Sequence, residues 1–114
     1  MGNTVFSKIL RKEIPADIVH EDELCIAFAD INPQAPTHLL IIPRTEIEGV
    51  NALDDVDAPL VGHLFTVARD LARKLGLDES GYRLVINTGA DAGQTVFHLH
   101  VHLLGGRTLT WPPG

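Results

Sequence analysis

Residues 96–104 read VFHLHVHLL, an alternation of apolar residues with three histidines at every second position. A period of two fits no helix, whose faces repeat at 3.6 residues, and it fits a strand. The pattern therefore predicts a strand over 96–104. It puts His98, His100 and His102 on one face, about 6.6 Å apart along the chain. Phe97, Leu99, Val101 and Leu103 then point the other way, into a core. A row of three imidazoles anchored on a rigid element is a strong constraint on both fold and function.

The rest of the chain supplies partners for that strand. Residues 4–13 (TVFSKILRKE) carry apolar residues at helical spacing, with Thr4 as a candidate N-cap and Pro15 as the terminator. Residues 18–31 read as a hairpin that turns at 21–23, with a buried strand over 24–28. Residues 32–37 (NPQAPT) hold two prolines and form a loop, 38–43 (HLLIIP) a strand, and 44–53 a short helix or turn. From about 56 to 75 the chain is helical, with Leu60, Leu64, Val67, Ala68, Leu71 and Leu75 on one stripe and Gly76 as C-cap. Residues 82–88 form a strand, 89–94 (GADAGQ) a small polar loop, and 105–114 an irregular tail. Strands dominate around one long helix, with no regular βαβ alternation. The class is α+β with an antiparallel sheet, and residues 1–114 form a single domain.

Composition narrows the function. The net charge is −6 and the nine Lys and Arg residues are scattered, which argues against nonspecific nucleic-acid binding. No apolar run approaches membrane-spanning length, and the N-terminus shows no secretory h-region. The single cysteine, Cys25, can neither form an internal disulfide nor supply the several thiolates of a cysteine-based zinc site. These features predict a soluble cytoplasmic protein with no membrane and no nucleic-acid partner.

Three readings of the histidines compete. A half-exposed strand carrying three histidines in register by chance is improbable. A zinc or copper site needs convergence on one ion, and positions i and i+2 of one strand rarely converge without a ligand from elsewhere; there is also no HExxH. Catalysis needs one imidazole to attack while neighbours orient it or move protons. The loop just upstream, GADAGQT, offers backbone N–H groups from small residues, a candidate anion nest. Together the loop and the histidines point to a phosphate rather than a metal.

The run from His98 to Leu104 matches the His-φ-His-φ-His-φ-φ signature of the histidine triad (HIT) superfamily. Residues 7–16, 30–43, 81–107 and the terminal WPPG (111–114) resemble its Hint branch, the histidine triad nucleotide-binding proteins, so the likeness spans nearly the whole chain. The resemblance implies a five-stranded antiparallel sheet with one long helix and a short N-terminal helix, and a homodimer with a continuous sheet. It implies a purine nucleoside phosphoramidase that hydrolyses P–N bonds of adenosine or guanosine 5′-phosphoramidates, and aminoacyl adenylates, through a nucleotidyl-histidine. No cofactor and no metal are implied.

Carried over residue by residue, the resemblance makes His100 the nucleophile. His102 contacts the phosphate oxygens and helps neutralise their charge, and His98 and His38 support them. Asn87, Gly93, Gln94 and Thr95 contact phosphate, with Thr95 standing where the family often has serine and keeping the hydroxyl for the leaving amine. Asp30 accepts from the ribose hydroxyls. Phe6, Ile9, Phe28, Ile31 and Leu40 match the base pocket, and Trp111 of the partner subunit the leaving-group side. Ala29 departs from the histidine of close relatives. His20 and His63 match no site: His63 reads as a partly buried, satisfied histidine of the long helix and His20 as a surface residue. The alternatives are a nucleotide-binding regulatory module that acts through protein partners, a dinucleoside polyphosphate hydrolase, against which the GGR and WPPG ending argues, and a zinc protein.

Overall fold

A computed structural model describes residues 2–114. In chain order the elements are α1 (Val5–Leu10), β1 (Ile18–Glu21), β2 (Cys25–Ala29), β3 (Thr37–Pro43), two short 3₁₀ turns (Val50–Ala52 and Asp55–Asp57), α2 (Ala58–Lys74), α3 (Leu77–Ser80), β4 (Tyr82–Val85) and β5 (Val101–Gly105). The strands form one antiparallel sheet in the order β1-β2-β3-β5-β4.

Both faces of the sheet are covered, by different elements. One face packs Ala27, Leu39, Ile41, Val101 and Leu103 against Leu64, Val67, Ala68, Leu71 and Ala72 of α2. The alternate residues Ile26, Phe28, Leu40 and Ile42 form a second core under Phe6 and Ile9 of α1. Each buried Leu, Ile or Phe contributes about 1.5–3 kcal/mol relative to exposure. The short α1 therefore depends on this packing, since six residues are too few to form a stable helix alone. Thr4 caps it by accepting from the Ser7 N–H at 3.0 Å.

Several boundaries differ from the sequence reading. Helix α1 stops at Leu10, not at 13: Lys12 takes a positive φ of 62° and turns the chain before Pro15 is reached. Helix α2 begins at Ala58 rather than 56, because Asp54 and Asp57 cap each other's backbone and hold 55–57 as a tight turn. It ends one residue before Leu75, which is half exposed, and Gly76 takes the left-handed φ of 75°. Strand β4 ends at Val85, leaving Asn87 outside the sheet.

The histidine strand is also shorter than its alternation suggested. Only Val101–Gly105 is a strand: all five residues pair with β3, and His102–Gly105 pair with β4 as well. Upstream of it the chain leaves the ladder, and Leu99 N–H bonds instead to the Ile47 carbonyl at 2.6 Å. Phe97, expected in the core, is consequently turned out and 54% exposed. Leu99, Val101 and Leu103 do enter the α2 core as expected. The Gly105-Gly106 pair closes this strand for steric reasons. A Cβ on Gly105 would meet Leu77 at 2.8 Å, and Gly106, at φ 91°, lies against Pro36.

Candidate active site

The α1 face of the sheet carries the histidines. Phe6 lies edge-on to both His98 and His100, with ring centroids 6.3 and 4.9 Å away. His100 and His102 are 4.9 Å apart between centroids, with their ring planes 59° apart. Leu40 pairs with His102, and His38 with Leu104, so β3 brings His38 alongside from a position 64 residues away.

The hydrogen bonds assign a protonation pattern to each ring. The Gln34 N–H donates to His38 Nδ1 at 3.0 Å. His38 must then carry its proton on Nε2, which donates to His102 Nδ1 at 2.9 Å. His102 in turn carries its proton on Nε2, free to donate to a ligand. Separately, His100 Nδ1–H donates to the His98 carbonyl at 2.6 Å, which leaves the His100 Nε2 lone pair unengaged. His98 Nε2–H donates to the Pro43 carbonyl at 2.9 Å.

The electrostatics agree with four neutral rings near pH 7. Burial lowers the pKa of His38, opposed by the nearby Asp30 carboxylate. It lowers that of His98 against the bond to Pro43, and that of His100 against the bond to the His98 carbonyl. His102 is pushed down to about 4, first by burial and then by His100 and His38. In the free protein its ring is therefore neutral, with an N–H on Nε2.

A cavity of about 580 Å³ opens over these rings, within the size range of small-molecule sites. Its lining combines apolar side chains, Phe6, Ile9, Phe28 and Leu40 with the fully exposed Ile31, and polar groups from Asp30, His38, His100, His102, Gly93 and Thr95. Asp30 accepts from the Asn32 N–H at 2.9 Å through one oxygen, and its other lies 3.4 Å from His38 Nε2. Ile14, Pro15 and Ala16 also line the cavity, and sequence reasoning assigned them nothing. Their signal was only the apolar IPA after the first helix.

Four of the expected site residues do not line this cavity. His98 is fully buried behind His100 and acts through its main-chain carbonyl. The Gln94 side chain is consumed by the loop: it accepts from the Gly89 N–H at 2.9 Å and donates to the Glu48 and Val96 carbonyls at 2.9 and 3.2 Å. Its amide holds the loop shape and has no free valence for a phosphate. Asn87 lies beyond the end of β4. Trp111 is 82% exposed on a tail tied to β4 by Arg83, which donates to the Thr110 carbonyl at 2.8 Å.

Asp30, His38 and His102 bring potential metal-ligating atoms within 4.8 Å of one another. The tautomer pattern opposes ligation there. Gln34 holds His38 Nδ1 as an acceptor, so its proton cannot leave Nε2 for the other nitrogen. His102 Nδ1 is itself occupied by that proton.

The sheet order, the two cores and the histidine cluster define a histidine triad fold. Residues 11–109 match the HIT domain family, and the chain belongs to that family. It is 55% identical over 112 residues to an uncharacterized HIT-like protein of Synechocystis sp., covering 98% of this chain and 97% of that protein. Among solved structures, a HIT family hydrolase from Legionella pneumophila Philadelphia 1 superposes with a TM-score of 0.96 at 53% identity, covering 98% of this chain and all of that one. The histidine triad nucleotide-binding protein from Candida albicans gives 0.83 at 31% identity, covering 96% and 83%. Among the described residues no helix is long and apolar enough to cross a membrane.

Proposed function

We propose that the chain is a nucleoside phosphoramidase of the Hint branch, with His100 as nucleophile. The observation that carries the reading is the His100 Nδ1–H bond to the His98 carbonyl. It leaves the Nε2 lone pair unengaged in a ring lining a cavity whose apolar side chains suit a purine. The hydrolase and nucleotide-binding relatives support the same reading.

In the proposed reaction His100 Nε2 attacks the α-phosphorus of an adenosine or guanosine 5′-phosphoramidate. The P–N bond breaks, and the amine leaves with a proton delivered through the Thr95 hydroxyl. Water then attacks the nucleotidyl-His100, releasing the monophosphate and restoring the ring. His102 donates Nε2–H to a phosphoryl oxygen, and His38 and Gln34 hold that tautomer. Asp30 accepts from the ribose, and Gly93 with Thr95 flanks the phosphate. Aminoacyl adenylates, with the same leaving geometry at phosphorus, are a second substrate class. The proposed working form is a cytoplasmic homodimer. Its support is the outer edge of β4, which pairs with no strand in the sheet order, and the exposed Trp111 tail tied to that edge.

The test is turnover of an adenosine 5′-phosphoramidate against diadenosine polyphosphates, with and without EDTA. The phosphoramidate should be preferred and activity should survive the chelator. His100→Ala should abolish turnover and leave AMP binding within about tenfold, because a nucleophile acts in the transition state more than in ground-state binding. Retention of a tenth of kcat would refute the assignment. Loss of activity to EDTA with rescue by zinc would replace it with a metal mechanism.

A further inference from the structure

On the α2 side of the hairpin, away from the cavity, a second polar cluster surrounds Asp22. One carboxylate oxygen, Oδ1, accepts from the Leu24 and Cys25 N–H groups at 2.7 and 2.9 Å and shapes the β1–β2 turn. The other, Oδ2, is the meeting point of three donors. His20 Nε2 lies 2.7 Å from it, His63 Nε2 2.8 Å, and the Cys25 thiol 3.5 Å. Thus β1, β2 and α2 each aim one group at a single atom of the turn. Turn formation needs only Oδ1, so Oδ2 and its three neighbours form a separate cluster of potential ligands.

We propose that His20, Asp22 and Cys25, completed by His63, form a binding site for a borderline divalent cation of the zinc class. The donor atoms of His20, Asp22 and Cys25 lie within 4.8 Å of one another, and His63 reaches the shared oxygen from α2. Two imidazoles, a carboxylate and a thiolate are the donor set that zinc prefers, and with Asp and Cys ionised it is neutral around a dication. In a tetrahedral zinc site neighbouring donors stand about 3.4–3.8 Å apart, given Zn–N, Zn–O and Zn–S distances of about 2.0–2.3 Å. The Cys25–Asp22 pair already has that spacing. The two imidazoles must retreat from Asp22 by about 0.6–0.7 Å on the same geometry. Both are about a third exposed, which gives them room to move and gives the ion an entry path.

The contrast with the cavity histidines supports the choice. There, Gln34 blocks the second nitrogen of His38. Here, Nδ1 of His20 and of His63 has no protein partner among the described residues, so each ring can shift its proton to Nδ1 and present Nε2 as a lone pair. The ion would fasten the edge hairpin to the long helix without entering the cavity. A bound ion here is compatible with chelator-resistant turnover.

The test uses the full chain, freed of metal by chelation, titrated with Co²⁺ and then Zn²⁺. One equivalent of Co²⁺ should bind with a thiolate-to-cobalt charge-transfer band and be displaced by Zn²⁺, and Zn²⁺ should raise Tm. His20→Ala, at a partly exposed edge position, should keep the fold and the phosphoramidase activity. It should weaken Co²⁺ affinity at least tenfold and shrink the Tm shift. Cys25→Ala should remove the charge-transfer band. If Cys25→Ala does not fold, the His20→Ala affinity and the wild-type band decide. Absence of a thiolate band in the wild type, or affinity unchanged in His20→Ala but lost in His102→Ala, would overturn the proposal and locate the ion in the cavity.

Discussion

Replacing His98 with alanine separates a structural imidazole from a catalytic one. The ring is 1% exposed and its Nε2–H is the partner of the Pro43 carbonyl. Removing it leaves a buried carbonyl without a donor, a cost of about 1–3 kcal/mol. It also opens a cavity beside Phe6 costing about 2 kcal/mol, less than the 3–5 typical of Phe→Ala because imidazole is smaller and less apolar. The sum, about 3–5 kcal/mol, is a large share of the about 5–15 kcal/mol that holds an ordinary domain together. A domain of this size should lose about 12–20 °C in Tm. Urea and thermal unfolding followed by circular dichroism measure both quantities. Activity measured well below the new Tm should stay within about tenfold of wild type, because alanine keeps the main-chain carbonyl that orients His100. His98→Gln, whose amide can reach Pro43, should recover about 1 kcal/mol. A loss below 1 kcal/mol would refute the structural role. A folded variant with kcat down a thousandfold would show that the His98 ring itself takes part in the chemistry.

Further expectations follow from the same geometry. Burial lowers the pKa of His38, His98, His100 and His102, so the unfolded chain binds protons that the native state excludes. Stability should be complete above the ordinary histidine value of about 6.5 and fall as pH drops toward the value of about 4 held by His102, with urea midpoints across pH 4–8 as the measurement. A flat profile would mean that the rings ionise in the native state. Asp30→Asn should weaken ribonucleotide binding by about 1.5–3 kcal/mol and deoxyribonucleotide binding far less, as read by calorimetry, since a charge-assisted bond to a ribose hydroxyl is lost. Deleting residues 109–114 should change kcat/KM most for phosphoramidates with bulky amines and leave the oligomeric state seen by sedimentation intact. A uniform change across a panel of amines would mean that the tail serves stability alone.

The period-two alternation around His100 is a local property, because successive side chains of an extended chain face opposite ways whatever lies beside them. The sequence by itself therefore determined the antiparallel α+β class, the shared face of His98, His100 and His102, and the core role of Leu99, Val101 and Leu103. The α2 stripe was legible for the same reason, its buried residues falling at helical spacing. What depended on distant partners was not. The length of β5 was decided by where its pairing with β3 and β4 ends, and upstream of that point, where Leu99 bonds to Ile47 instead, Phe97 is turned outward. The tautomer of His102 was decided by His38, 64 residues earlier in the chain, and by Gln34 behind it. Gln94 looked like a phosphate ligand until the fold gave its amide three backbone partners. His63 and Asp22 are 41 residues apart, and only the packing of α2 against the hairpin brings them to 2.8 Å. A hydrogen-bonding group has its valence assigned by whichever atoms arrive within about 3 Å of it, and that arrival is a property of the tertiary structure.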